Sequence, residues 1–165
     1  MLIKTADDKA VFAVRLNSSG FRPGENDVSI VEGVNPLLDI NGHSIMFDKI
    51  AKCAVQEEIC DVDESNINAS ILGMVFDKEY NQWNIIGCIN LKLTQDEIIK
   101  RRNRGVSGKW ELRTLDFQQF SPKDLMRYLS THKMWDMGMV AIYFSLIYNH
   151  FTVETIEKYA RKYLK

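Results

Sequence analysis

The sequence predicts an α+β fold, in which an antiparallel sheet is covered on one face by C-terminal helices. Three observations lead to this expectation. Alternating apolar and polar residues fill the middle of the chain, turn signals separate these stretches, and the last third of the chain carries helix starts and helical periodicity. The length of 165 residues, with 45% apolar and 26% charged side chains, is that of an ordinary globular domain, so we expect residues 1–165 to form one domain.

Strand signals dominate residues 9–117. Asn41-Gly42 stands between two apolar stretches, and this dipeptide is the strongest short hairpin signal. In the stretch 83–93, Trp83 and Ile85 alternate with polar Asn84, as one face of a half-buried strand requires. We expect strands at 9–16 and 28–34, a hairpin at 37–47, a second hairpin at 67–93 and a further strand at 109–117, with the two hairpins and the last strand forming the sheet.

Helix signals occur in the first half and again after residue 93. Residues 48–59 place their apolar side chains on one side of a helix. Thr94 and Glu97 have the spacing of a capping box, and Gly105 is a natural helix stop. Further helices are expected after Ser121-Pro122 and after Thr152, which can cap a last helix.

The most apolar run, Met137 to Tyr148, is open to two interpretations, a buried helix or a central strand, and its length favours the helix. A membrane span needs about 20 apolar residues, so no membrane association is expected. The N-terminal stretch has acidic residues where a secretory signal needs an apolar run, and the three cysteines are an odd number without a CxxC pair. Both features favour a cytoplasmic location.

No pattern in the sequence matches a known catalytic, cofactor or metal site. The histidines and cysteines lack zinc-site spacing, and phosphate-binding glycine motifs and hydrolase motifs are absent. We therefore expect no catalytic residue, metal or cofactor. An assembly of Asp61, Asp77, Lys109 and Glu111 as a metal-dependent nuclease site is conceivable, but a chain with 22 acidic residues offers many such combinations by chance.

The charge is divided unevenly between the two parts of the chain. Residues 1–99 carry 8 basic and 16 acidic side chains, whereas residues 100–165 carry 13 and 6. One interpretation is that each part meets a partner of opposite charge, and the other is that the two parts neighbour each other on one surface. The densest acidic stretch predicts a surface for a cationic protein partner, formed by Glu57, Glu58, Asp61, Asp63 and Glu64.

The densest basic stretch follows the expected helix start at Thr94. Its position predicts the last turn of that helix, where the helix dipole favours cations and the side chains are solvated. The alternative is an anion-binding site next to Gly105 and Gly108, which let a backbone approach closely. The candidate anion-binding residues are Lys100, Arg101, Arg102 and Arg104.

Three function classes remain from these observations. The first is a non-enzymatic protein that binds and occludes a partner, such as an immunity or antitoxin-like inhibitor of a bacterial toxin, possibly a nuclease. The second is a small enzyme, for example a metal-dependent nuclease, and the third is a nucleic-acid-binding protein that uses residues 100–104. A pI near 6.3 argues against a dedicated nucleic-acid binder, so the first class is preferred.

Overall fold

The computed structural model describes residues 1–16, 23–35, 37–106 and 112–164, and its centre is a mixed sheet with helices on both faces. The strands of this sheet are β1 (Leu2–Lys4), β2 (Lys9–Arg15), β3 (Asn26–Val28), β6 (Ile67–Asp77), β7 (Gln82–Leu91) and β8 (Leu112–Gln119). Strands β4 (Ile40–Asn41) and β5 (Ser44–Ile45) form a separate pair. The α-helices are α1 (Phe47–Ala54), α2 (Gln95–Arg102), α3 (Pro122–Leu129), α4 (Asp136–Tyr148) and α5 (Val153–Tyr163). The α+β fold class is therefore confirmed.

Strand β2 organises the sheet because it pairs along both of its edges. One edge pairs antiparallel with β8 along its whole length, and the other pairs antiparallel first with β1 and then with β3. Strand β1 also pairs parallel with β7, and β7 forms an antiparallel hairpin with β6. Strands β6 and β8 therefore lie at the two edges of the sheet among the described strands.

Two apolar clusters fix the helices on the two faces of the sheet. One face of the sheet packs on α1, on the π-helical turn Val55–Ile59 that continues it, and on Ile98 of α2. The sheet residues on this face include Ile3, Val11 and Ile89. The opposite face packs on α3, α4 and α5 and includes Leu2, Phe12, Ile86, Leu125, Ile142 and Ile156. The expected cover by C-terminal helices is confirmed, and the other face has helices of its own.

Local capping signals are confirmed in detail. The Thr94 hydroxyl oxygen accepts from the Glu97 N–H at 3.4 Å, and the Glu97 carboxylate accepts from the Thr94 N–H at 2.8 Å, so the capping box begins α2. Gly105 follows this helix with a positive φ of 113°, which a glycine adopts without strain. The side-chain oxygens of Ser121 and Thr152 cap α3 and α5 in the same way.

Two expectations about the strands were wrong, and one strand was not expected. The stretch 28–34 is not a strand after Val28, where β3 ends. The hairpin at 37–47 forms only β4 and β5 and does not join the main sheet. Strand β1 was missed, since three residues are too few to show a period. The expected loop at 17–22 and the start of the strand at 109–111 lie outside the described residues.

Candidate functional site

The basic and acidic stretches that the sequence marks as separate sites lie against each other. Arg102 is buried, and its Nη1 donates to the main-chain carbonyl of Glu58 and, at 3.2 Å, to that of Ile59. Arg101 Nη1 donates to the carbonyl of Asp61 at 3.2 Å. Glu58 and Ile59 end the helical run of α1 and its π-helical turn, where backbone acceptors lack helical donors, and Asp61 follows two residues later. The basic end of α2 therefore caps the end of another helix.

Two of the predicted site residues are consequently not at the surface. Arg102 is 8% exposed as a whole residue, and burial lowers the pKa of its guanidinium, an effect that nearby Cys60 and Glu58 oppose. Glu58 is 7% exposed, so its side chain cannot meet a partner as the acidic-surface prediction assumed. The interpretation of Arg102 as a solvated helix end was also wrong, because α2 docks its last turn on the acidic segment.

The remaining members of the two stretches keep exposed or half-exposed side chains. Lys52 forms ion pairs with two carboxylates of the acidic region, because its Nζ lies 2.6 Å from Asp48 Oδ2 and 3.5 Å from Glu64 Oε2. Of the basic stretch, Lys100 and Arg104 are exposed and Arg101 is half-buried. The acidic residues that stay exposed are Glu57, Asp61, Asp63 and Glu64. Their binding role stays a prediction.

The conceivable nuclease assembly is not brought together. Asp61 precedes β6 and Asp77 ends it, and a strand of this length runs about 30 Å. Asp77 is buried and accepts from the indole N–H of Trp135 at 2.8 Å. Lys109 and Glu111 lie outside the described residues. Across the described ranges, no group of three or more His, Cys, Asp or Glu side chains is arranged to hold a metal ion.

A cleft opens where the sheet is incomplete. Strand β1 pairs with β7 only from Cys88 to Asn90, and β3 has no pairing with β7 in the described part of the chain. Residues 82–86 of β7 therefore face the segment 28–34 across a gap, and this gap forms a cavity of about 410 Å³. On the side away from β6, the main-chain groups of this part of β7 point into the cleft.

Small residues on the flanking helices create the volume of the cleft. Helix α1 contributes Phe47, Ile50, Ala51 and Ala54, which lie on one face at helical spacing. Helix α4 contributes Gly138 and Ala141 from the other side of the sheet. These alanines and the glycine are buried, and a Cβ added at Gly138 would meet the Met134 side chain at 3.0 Å, so a larger residue there would displace this neighbour.

The inner wall of the cleft is apolar and its mouth is polar and aromatic. Val28, Ile30 and Ile86 are each less than 5% exposed, whereas the Trp83 side chain at the mouth is 65% exposed. Glu32, Gln82 and Asn84 also line the mouth. Along one wall, Arg15 lies 3.7 Å from the buried carboxylate of Asp27. The cleft thus combines an apolar interior with a few hydrogen-bonding groups, as small-molecule sites do.

The cleft was not foreseen from the sequence. Its walls come from the segment 28–34, α1, β7 and α4, which are far apart in the chain, and no local pattern reveals that they meet. The one signal within the sequence was Trp83, a large aromatic residue next to the turn 77–82. Its alternation with Asn84 was correctly predicted, but an exposed position was not.

Comparison with known proteins supports the fold and leaves the function open. The chain is similar in fold to the crystal structure of DR0079 from Deinococcus radiodurans, with a TM-score of 0.56 and 11% sequence identity. The match covers 85% of this chain and 76% of that chain. No family model and no curated protein matches the sequence. Within the described residues, no helix is both long enough and apolar enough to cross a bilayer.

Proposed function

We propose that this protein binds a small, planar and largely apolar molecule in the cleft between β7 and the segment 28–34. The observation that carries the proposal is the cavity of about 410 Å³ with a buried apolar interior and Trp83 at its mouth. Ligand pockets of proteins are concavities of about 300–1,000 Å³ with apolar walls and a small number of polar groups. The cleft meets each of these conditions.

The shape and lining of the cleft support a planar ligand. The cleft is a gap between a strand and a neighbouring segment, lined by α1 on one face of the sheet and by α4 on the other, and a flat molecule suits a gap of this kind. Trp83 offers an aromatic face at the entrance, and stacked or edge-on aromatic contacts add about 0.5–1.5 kcal/mol beyond the buried area. The amides of Gln82 and Asn84 supply donors and acceptors that orient a polar edge of the ligand.

The neutral dye prodan, a planar naphthalene, tests this proposal by its fluorescence. We expect saturable binding at one site, weakened about three- to tenfold by Trp83→Ala, which is the loss of about one aromatic contact. Ala54→Leu fills the cleft from the buried side and should abolish binding. Tyr148→Ala removes another exposed aromatic side chain outside the cleft and is the matched control.

Two outcomes would overturn the cleft as a ligand site. One is binding of prodan that neither Trp83→Ala nor Ala54→Leu weakens. The other is an equal loss in Tyr148→Ala, which would show that the dye adsorbs to exposed apolar surface. Thermal melts establish that each variant is folded, and Trp83→Ala should pass this check because the side chain is mostly exposed.

Occlusion of a protein partner, as by an immunity-type inhibitor, is the second candidate. It is supported by Glu57, Asp61 and Asp63, whose exposed carboxylates lie close together in the chain. With the partner in hand, the triple variant Glu57→Lys, Asp61→Lys and Asp63→Lys should associate at least about tenfold more slowly at low salt, because charge steering is lost. An unchanged association rate at every salt concentration would remove this candidate.

A further inference from the structure

The outer edge of β6 is long and has neither charged residues nor proline between residues 67 and 76. Strand β6 has 11 residues and, among the described strands, pairs only with β7. Exposed edges are normally blunted by lysine, proline or inward-pointing charges, because their main-chain groups can pair with another strand. Residues 67–76 contain no charged residue and no proline. A register shift between Ile71 and Gly73 is the one irregularity.

Exposed apolar side chains flank this edge on the face of the sheet that α1 covers. Ile71 is 51% exposed, Met74 is 60% exposed and Phe76 is 38% exposed. The three side chains share one face because the register shift restores the alternation of β6 against β7. Helix α1 covers other parts of this face, so the side chains of Ile71, Met74 and Phe76 stay in contact with water.

The other face of the edge is flanked by helix α4. The Tyr148 hydroxyl lies 2.8 Å from the Ser70 hydroxyl of β6, which places the end of α4 beside the edge strand. Tyr148 is 40% exposed, and Phe144, one helical turn earlier, is 39% exposed. An amphipathic helix would present polar residues to water here, but α4 is apolar on its outer side as well. Apolar surface therefore wraps around both sides of the β6 edge.

The absence of charge from these two segments favours a second copy of the chain over a charged partner. Residues 66–76 and 137–149 contain no Asp, Glu, Lys or Arg. A charged partner would gain no electrostatic attraction at such a surface. A second copy of the chain would meet its own uncharged surface without like-charge repulsion, and a two-fold contact requires such self-complementarity.

We propose that two copies of this chain associate through β6, which pairs antiparallel with β6 of the second copy around a two-fold axis. The pairing joins the two sheets into one continuous sheet and gives each outer main-chain N–H and C=O of the strand a partner. Met74 and Phe144 lie on opposite sides of the joined edge and are covered by the second copy. The proposal does not rest on ligand binding in the cleft, although Phe76 of this surface packs against Trp83 at the mouth of the cleft.

Sedimentation velocity over a concentration series tests the proposal. We expect the wild-type protein to be a dimer and Met74→Lys to raise the dissociation constant at least tenfold, since it places two lysines across the new interface. Ile99→Lys on α2 is the matched control, because Ile99 is 39% exposed and lies outside the surface. Its dissociation constant should equal that of the wild type.

Hydrogen exchange distinguishes strand pairing from contact by side chains alone. In the dimer, the outward-facing amides of β6, every second residue, should exchange more slowly as the protein concentration rises. A monomer at about 1 mM protein would overturn the proposal, since the association would then be weaker than about 4 kcal/mol. A dimer that Met74→Lys leaves intact, or that shows no concentration-dependent protection in β6, would equally overturn it.

Discussion

Replacing Arg102 by alanine should lower the free energy of unfolding by about 2–4 kcal/mol. The side chain joins α2 to the end of the helical run that α1 begins, through hydrogen bonds to the carbonyls of Glu58 and Ile59. It is buried, although three of its neighbours in the sequence are basic and two of these are exposed. The effect should therefore be far larger than that of a surface charge.

The magnitude follows from the two acceptors that the guanidinium serves. A buried acceptor left without a partner costs about 1–3 kcal/mol, so two carbonyls give about 2–6 kcal/mol. Removing the guanidinium also relieves the cost of burying its charge, the same cost that lowers its pKa. This gain offsets part of the loss, which is why the lower part of the range is expected. Lysine at this position should recover only part of the stability, because it lacks the forked donors.

Urea unfolding followed by circular dichroism measures the effect, with Arg104→Ala as the control. Arg104 is exposed in the same basic stretch, and its replacement should change stability by no more than about 0.5 kcal/mol. The slope of the unfolding transition should stay constant, so that the midpoints compare directly. Equal and small effects of Arg102→Ala and Arg104→Ala would refute the reasoning and restore the interpretation of a solvated helix end.

Two further predictions concern the cap of α2 and the cysteines. Thr94→Ala should lower the free energy of unfolding by about 0.5–2 kcal/mol, as measured by thermal unfolding. Thr94→Ser should keep most of the stability, because its hydroxyl oxygen can still accept a hydrogen bond from the Glu97 N–H. An alanine variant as stable as the wild type would contradict the capping role. At pH 8 a thiol reagent should modify the exposed Cys53 rapidly and one thiol per folded chain in total. Cys60 and Cys88 are buried, and burial raises the pKa of both thiols, that of Cys60 from 9.0 to about 11. The contribution of Cys60 to stability should be constant below about pH 9 and fall as the pH rises towards 11, since the unfolded thiol ionises first. A second fast-reacting thiol in the folded protein would count against this assignment.

Elements defined by neighbouring residues were predicted well. The hairpin of β6 and β7, the capping box at Thr94 and the helix starts at Ser121 and Thr152 depend on spacings of two to four residues, and each occurs where expected. The apolar run that begins at Met137 is the helix α4, which resolves the choice between helix and strand. Its exposed outer face was not expected, because an apolar run predicts burial on all sides.

Elements that depend on distant partners were not predicted. Strand β1 has three residues and owes its place to pairing with β2 on one side and β7 on the other. The hairpin at 37–47 has a strong turn signal, but nothing in its sequence decides whether it joins the main sheet. The uneven division of charge had two interpretations, separate partners for the two parts or close approach of the parts to each other. Arg101 and Arg102 bring the parts together, because they donate to main-chain carbonyls of the acidic segment.

The sequence by itself determined the α+β class, most helix boundaries and the alternation of the central hairpin, because backbone propensity, capping and the period of apolar residues act over a few residues. Only the tertiary structure decided which charged side chains are buried, where the sheet is incomplete and which apolar faces stay exposed. The cleft and the bare edge of β6 belong to this second group. Both arise from packing between segments far apart in the chain, and the free energy of such contacts depends on which surfaces meet, which no local pattern of residues records.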